Sequence, residues 1–280
     1  MRASGYVTFM ARLLMCGAGV GAVGEVGGGI GVALAKPADW AAWTSSTGAP
    51  SGTVTGTITT EFGSVNVTYT GEIFFSQINN TGTYFYSPAA PFINPSVPNQ
   101  PPRSDIIALQ GGASMGVHKL VFSPPVDDPI MAIVSLGQPS IQVTYDFDVP
   151  FTILSYGPGY WGGPGTLNNV GGQRLTGVEG HGTIRFIGPV SSISWTIPNP
   201  ETWHGFTVGL AGPPCPCDLN SDKFVDDADF VIFIQSFNVL DCLDPEMPAR
   251  CPSDFNGDSV VDDKDFLLFV QEYNDLICPE

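Results

Sequence analysis

Charge is scarce in this chain, and basic charge scarcest. Asp, Glu, Lys and Arg make up 13% of the 280 residues, and ten Lys and Arg face 27 Asp and Glu. With 34 glycines and 25 prolines, such a composition suits many short strands joined by turns and argues against a helical bundle. The net charge of −17 is a poor match for nucleic acid or an anionic membrane. There are three histidines, His118, His181 and His204, and no HxH or HExxH pair to suggest a zinc site. A phosphate loop is missing, and GASMG (112–116) and GPGYWG (157–162), although spelled G-x-S-x-G and G-x-G-x-x-G, have no predicted helix after them and so are neither a nucleophile elbow nor a dinucleotide fingerprint. After residue 35 no stretch approaches the roughly 20 apolar residues that span a bilayer. Cysteine is absent from residues 36–214, so no disulfide framework is expected there.

The N-terminus has the features of an export signal. Arg2 and Arg12 supply positive charge ahead of LLMCGAGVGAVGEVGGGIGVALA, and Ala33-Leu34-Ala35 has the small-x-small form of a cleavage site. Residues 1–35 are therefore expected to be a signal peptide.

From Gly52 to Ala211 the chain is a series of strand-like runs separated by NNTG, SPP, GQP and GPGYWGGPG. The runs include GTVTGTITT, SVNVTYTG, IIAL, HKLVF, PIMAIVSL, SIQVTYDFDV, GTIRFIG, SSISWTI and GFTVGLA. This pattern predicts a mainly β fold, an antiparallel β-sandwich or jelly roll, over residues 36–211. Residues 36–50 read as a polar lead-in, PFINPSVPNQPPRSD (91–105) as a long surface loop, and GPPCPC (212–217) as a stiff linker.

The acid lies mostly beyond that linker. From Pro213 onward sixteen Asp and Glu face three basic residues, Lys223, Arg250 and Lys264. Here an acidic dodecamer is written twice, DLNSDKFVDDAD at 218–229 and DFNGDSVVDDKD at 254–265. Side-chain oxygens fall at positions 1, 3, 5, 9 and 12: Asp218, Asn220, Asp222, Asp226 and Asp229, then Asp254, Asn256, Asp258, Asp262 and Asp265. Position 7, Phe224 or Val260, offers its backbone carbonyl. This is the ligand spacing of an EF-hand calcium loop, in which a short segment must fold back to give a hard cation six to eight oxygens. Position 6 usually carries glycine; Lys223 and Ser259 stand there, and a side chain at positive φ costs on the order of 1 kcal/mol. Position 12 is Asp rather than Glu. A helix is predicted after each loop, with Phe230, Phe233, Ile234 and Phe237 on one face and Phe266, Phe269, Val270 and Tyr273 on the other. Prolines 216 and 252 precede the loops, so each should have a helix on one side only.

These residues resemble a dockerin, over about residues 215–279, and the CPxD…FVxFxQxxN…C wording is most similar to dockerin-like tails on exported proteins of planctomycete-type bacteria. The resemblance implies a small α-helical domain at 218–280 that folds around two Ca²⁺ ions and docks onto a cohesin-like domain of another protein. In the family Asp at position 12 is usual, and positions 10 and 11 largely choose the partner. Here those positions are Asp227-Ala228 and Asp263-Lys264 rather than a small hydroxyl pair.

The repeat also sorts the cysteines. Cys215 and Cys242 match Cys251 and Cys278, which favours disulfides Cys215–Cys242 and Cys251–Cys278, with cross-repeat pairing open and Cys217 left over.

For the large domain the signals are weaker. Glu179, His181, Glu201, Trp203 and His204 fall close together in sequence and could serve a metal or acid–base chemistry, but without a ligand-spaced pair the favoured reading is that His181 and His204 sit in turns or hydrogen-bond locally. Tyr160 and Trp161 sit among glycines, where aromatics stack on sugars or cap a core. Glu61, Glu72, Asp146, Asp148, Glu179 and Glu201 are the carboxylates from which a glycosidase pair could be drawn. Residues 130–211 are similar to β-sandwich domains of exported bacterial surface proteins, including those with PEP-CTERM-type sorting tails. The leading expectation is an exported, non-catalytic protein with a glycan-binding sandwich. The alternatives are a glycoside hydrolase carrying a dockerin, and a surface protein with no ligand beyond calcium.

Overall fold

A computed structural model describes residues 37–60, 63–211, 216–220, 222, 224–249 and 251–275. The expected signal at 1–35 lies outside the described residues, as do Glu61, Cys215, Lys223 and Cys278.

The described chain is mainly β, and the expectation of an antiparallel sandwich holds. In chain order the strands are β1 (Asp39–Trp40), β2 (Ala42–Ser46), β3 (Ser51–Thr60), β4 (Gly63–Glu72), β5 (Phe75–Gln77), β6 (Ile106–Leu109), β7 (Val117–Asp127), β8 (Ile130–Leu136), β9 (Val143–Phe147), β10 (Phe151–Tyr156), β11 (Thr166–Asn169), β12 (Arg174–Val178), β13 (Gly180–Phe186), β14 (Pro189–Thr196) and β15 (His204–Leu210). Eight of them form one sheet in the order β11-β12-β9-β14-β7-β4-β3-β2. Seven form the other, β10-β13-β8-β15-β6-β5, with β1 also paired to β15.

Alternation decides which side of each strand is buried. Val65, Val67 and Tyr69 of β4 turn inward while the residues between them face out, and β7 does the same with His118, Leu120 and Phe122. These side chains meet Met131, Ile133, Ile184, Phe206 and Val208 of the facing sheet in the main core, around a fully buried Trp43 and a nearly buried Trp195.

β8 is buried on both faces. Met131 and Ile133 join the main core, whereas Ile130, Ala132 and Val134 belong to a second apolar cluster with Tyr86, Phe92 and Val97. The segment 91–105 is therefore no surface loop. Phe92 and Val97 are fully buried, and the segment covers the outer face of the seven-stranded sheet. A continuous apolar run such as IMAIVSL needs such a cover, because its outward side chains would otherwise face water. The polar lead-in is also corrected. It forms β1 and β2, with Trp43 donating from Nε1 to Thr207 Oγ1 at 3.0 Å and from its backbone N–H to Asp105 Oδ2 at 3.1 Å.

Two helices follow the dodecamers, α1 (Asp227–Phe237) and α2 (Asp263–Asp275). The predicted aromatic faces do meet. Phe233 stacks on Phe269 at 5.3 Å and on Phe255 at 5.8 Å, and Phe230 lies 6.3 Å from Phe266. The favoured within-repeat pairing is overturned, and the cross-repeat alternative holds: Cys242 bonds Cys251, with their Cα atoms 5.3 Å apart. Repeat symmetry gave the wrong partner because the turn after α1 runs back along the second loop. Val261 N–H donates to Leu240 O at 2.7 Å, and Cys242 N–H to Ser259 O at 3.2 Å. This ladder brings the end of one repeat against the start of the next. Cys217 is a buried free thiol, which burial and the nearby Glu272 push well above the usual thiol range.

Candidate functional site

Both dodecamers close on their own carboxylates. In the first, one oxygen each from Asp218, Asp222 and Asp229 lie within 4.8 Å of one another; Asp254, Asp258 and Asp265 do the same in the second. These are positions 1, 5 and 12 of each loop. Backbone hydrogen bonds build the convergence. Asp218 Oδ1 and Asn220 Oδ1 both accept from Asp222 N–H, at 3.0 and 2.9 Å. Asp254 Oδ1 accepts from Gly257 and Asp258 N–H, and its Oδ2 from Ser259 N–H.

Position 12 is the keystone. Fully buried Asp229 accepts from Leu219 and Asn220 N–H through Oδ1, at 2.7 and 3.0 Å, and from Asp226 N–H through Oδ2 at 2.9 Å. Asp265 repeats the set with Phe255, Asn256 and Asp262. Burial, and after it the neighbouring Asp254 charge, hold the Asp265 carboxyl above its ordinary range. Such a group keeps its negative charge at a cost that a cation would remove.

Position 9 does not join the trio. Asp226 is the N-cap of α1 and accepts from Ala228 N–H, completing a capping box with Asp229. Asp262 accepts from Lys264 N–H in the same way. Position 7 of the second loop pairs with Asp241 through bonds made by its neighbours, a ladder that leaves the Val260 carbonyl without a hydrogen-bond partner among the described residues. Phe224 N–H donates to Asp222 Oδ1 at 3.0 Å. The missing glycine at position 6 has its expected consequence, for Ser259 takes φ +68°. Position 10 of the first loop and position 11 of the second are engaged within the chain. Tyr273 Oη donates to Asp227 Oδ1 at 2.6 Å, and Lys264 Nζ to Asp258 Oδ2 at 2.8 Å.

The weaker carboxylates of the sandwich separate into two groups. Glu72 is structural: it is buried and accepts from Gln110 and Gly111 N–H, at 3.0 and 2.9 Å. Asp146 pairs with Arg174, and Asp148 accepts from Ser194 N–H at 2.7 Å. Glu179 and Glu201, in contrast, line one cleft of about 390 Å³ with Trp161, Trp203, Ser135 and Gln138.

The cleft sits where β8 ends and β13 and β15 begin. The β8–β13 register shifts there, between Gly180 and Gly182, and the φ values of Ser135 and Glu179 are +58° and +53°. Such bulges re-aim side chains, and left-handed non-glycine residues cost roughly 1–2 kcal/mol each. Gly137 occupies the turn at φ +80°, where a Cβ would lie 2.2 Å from the Gly177 carbonyl oxygen. Its N–H donates to Glu201 Oε1 at 2.7 Å, and His204 Nδ1 lies 2.7 Å from the same oxygen. The Glu201 side chain is 1% exposed and that of His204 is fully buried. Burial, and after it the charge on Glu201, raise the Glu179 carboxyl above its ordinary range.

The glycine-rich loop 157–165 packs over this end. A Cβ at Gly159 would collide with the His181 ring, and one at Gly163 would press on Glu179. That leaves Trp161 49% exposed, backed by Phe85 at 5.4 Å and perpendicular to Trp203 at 5.3 Å. His181, one of the residues that sequence proximity singled out, stands behind the cleft against Trp161 and Phe92. Its ring nitrogens have no hydrogen-bond partner among the described residues, and burial lowers its pKa to about 4. Ser135 and Gln138 carry no sequence signal of their own; the bulge alone places them there.

No protein-family model matches the chain, and neither the curated proteins nor the solved structures contain a match.

Proposed function

We propose that this chain is an exported, non-catalytic attachment protein, in which residues 218–280 fold around two Ca²⁺ ions and join a β-sandwich at 36–211, one that recognises glycans, to a cohesin-like partner. The observation that carries the calcium reading is the double convergence of three carboxylates at loop positions 1, 5 and 12. Oxygen-only donors on a tight loop suit a hard cation with flexible coordination. The amide oxygens of Asn220 and Asn256 and the carbonyls of Phe224 and Val260 would complete each set, with Asp226 and Asp262 reached through water. The disulfide Cys242–Cys251 fits an oxidising compartment and so supports export. Because Asp227 and Lys264 already bond within the chain, the partner would engage other parts of the helices. The glycan reading rests on the exposed Trp161 at the cleft.

Calorimetric titration of the full chain should give two calcium sites, and D218A with D254A should remove both. Titration curves unchanged by the double substitution would contradict the assignment. Release of reducing sugar that disappears in E179Q would replace the non-catalytic reading with a glycosidase.

A further inference from the structure

Four features of the cleft at the end of β8 point to the chemistry of its ligand. Its lining includes two carboxylates and no Lys or Arg. Glu201 Oε1 is taken by Gly137 N–H and His204 Nδ1, whereas Oε2 has no hydrogen-bond partner among the described residues, although the side chain is almost wholly out of water. A carboxylate oxygen in that position gains most from a charged donor. Trp161 and Trp203 stand with their planes 79° apart, giving two aromatic walls at right angles. Aromatic faces take sugar rings by apolar contact and attract ammonium groups electrostatically. Finally, Ser135 and Glu179 hold left-handed backbone at the cleft. Strain of this kind persists where the surroundings enforce it, and it clusters at ligand sites.

We propose that the cleft selects amino sugars: a glucosamine-type unit lies against Trp161 and Trp203 and places its free ammonium between the carboxylates of Glu179 and Glu201. This rests on the glycan reading of the sandwich and adds the charge of the ligand to it. An ammonium has three donors and no acceptor, so it can satisfy Glu201 Oε2 and Glu179 together. It would also offset the repulsion from Glu201 that adds to burial in raising Glu179. A neutral sugar would leave that repulsion in place. An N-acetylated sugar has lost the charge and gained bulk at the same atom.

The test is binding of the full chain to three oligosaccharides of equal length, followed by calorimetry and tryptophan fluorescence: a glucosamine oligomer, its N-acetylated form, and a neutral glucose oligomer. The glucosamine oligomer should bind at least ten-fold more tightly than the others. E179Q should erase that preference while retaining weak binding, and W161A should weaken all three. The thermal transition of each variant would report whether the sandwich stays folded. Equal affinity for charged and neutral sugars would overturn charge selection and leave the glycan reading standing. No binding to any of the three would overturn both.

Discussion

Replacing Asp229 should damage the tail in a way that replacing Asp222 does not, although both belong to the same carboxylate trio. Asp229 is buried and accepts three backbone N–H bonds, one of them half of the capping box of α1. D229A leaves those donors without a partner at ~1–3 kcal/mol each, reduced where water reaches them. The capping-box bond is one of the three, and its loss is worth about 1 kcal/mol. A total of about 3–5 kcal/mol is comparable with the whole stability of a small module, at roughly 0.05–0.15 kcal/mol per residue. Asp222 is exposed; its Oδ1 accepts from Phe224 N–H and its Oδ2 from the Asn220 side-chain amide, both within reach of water. D222A should therefore cost under about 1 kcal/mol without calcium. Both substitutions should abolish calcium affinity in the first loop. Helical circular dichroism on heating in chelator separates the cases: D229A lowers the signal or the midpoint, and D222A tracks the parent. If the two variants melt alike in chelator, position 12 is not the structural keystone described above.

Two further expectations follow from local geometry. S259G relieves a side chain at φ +68° and should tighten calcium at the second loop by about five-fold, for roughly 1 kcal/mol of strain that the loaded loop carries in excess; unchanged affinity would show that the free and loaded loops carry the strain equally. His118 and His181 have pKa values lowered by burial from 6.5 to about 4, so the folded sandwich keeps them neutral while the unfolded chain takes up protons. Their contribution is therefore fully present above pH 6.5, falls between pH 6.5 and 4, and levels off below that, by up to roughly 3 kcal/mol per histidine. The midpoint of the sandwich should drop over that interval, and H181F should flatten the slope; a flat midpoint in the parent would contradict it.

How much of this could be read from residues alone follows from what each signal encodes. Period-two alternation in SVNVTYTG and HKLVF located β4 and β7, because one buried face is enough to write the pattern. PIMAIVSL was legible as a strand, but the cover on its second face was not. Nothing local in PFINPSVPNQPPRSD says that Phe92 and Val97 will be buried by a distant strand. β10, β11 and β12 went unpredicted for the same reason: their place depends on neighbours in the sheet rather than on their own pattern. The convergence of carboxylates at positions 1, 5 and 12 was legible in the dodecamers because spacing within one short loop is a local property. The disulfide was not, since repeat symmetry ignores the turn that carries Cys242 to Cys251. Glu179 and Glu201 were suspects with unknown separation, and the bulge at Ser135 is what brings them to one cleft.

The central claim is that divalent metal organises the acidic C-terminal segment. Scanning calorimetry of the full chain in chelator and in millimolar calcium tests it most directly. The account predicts two transitions, with calcium raising the one that belongs to residues 218–280 and leaving the sandwich transition in place. A trace identical in both conditions would contradict it.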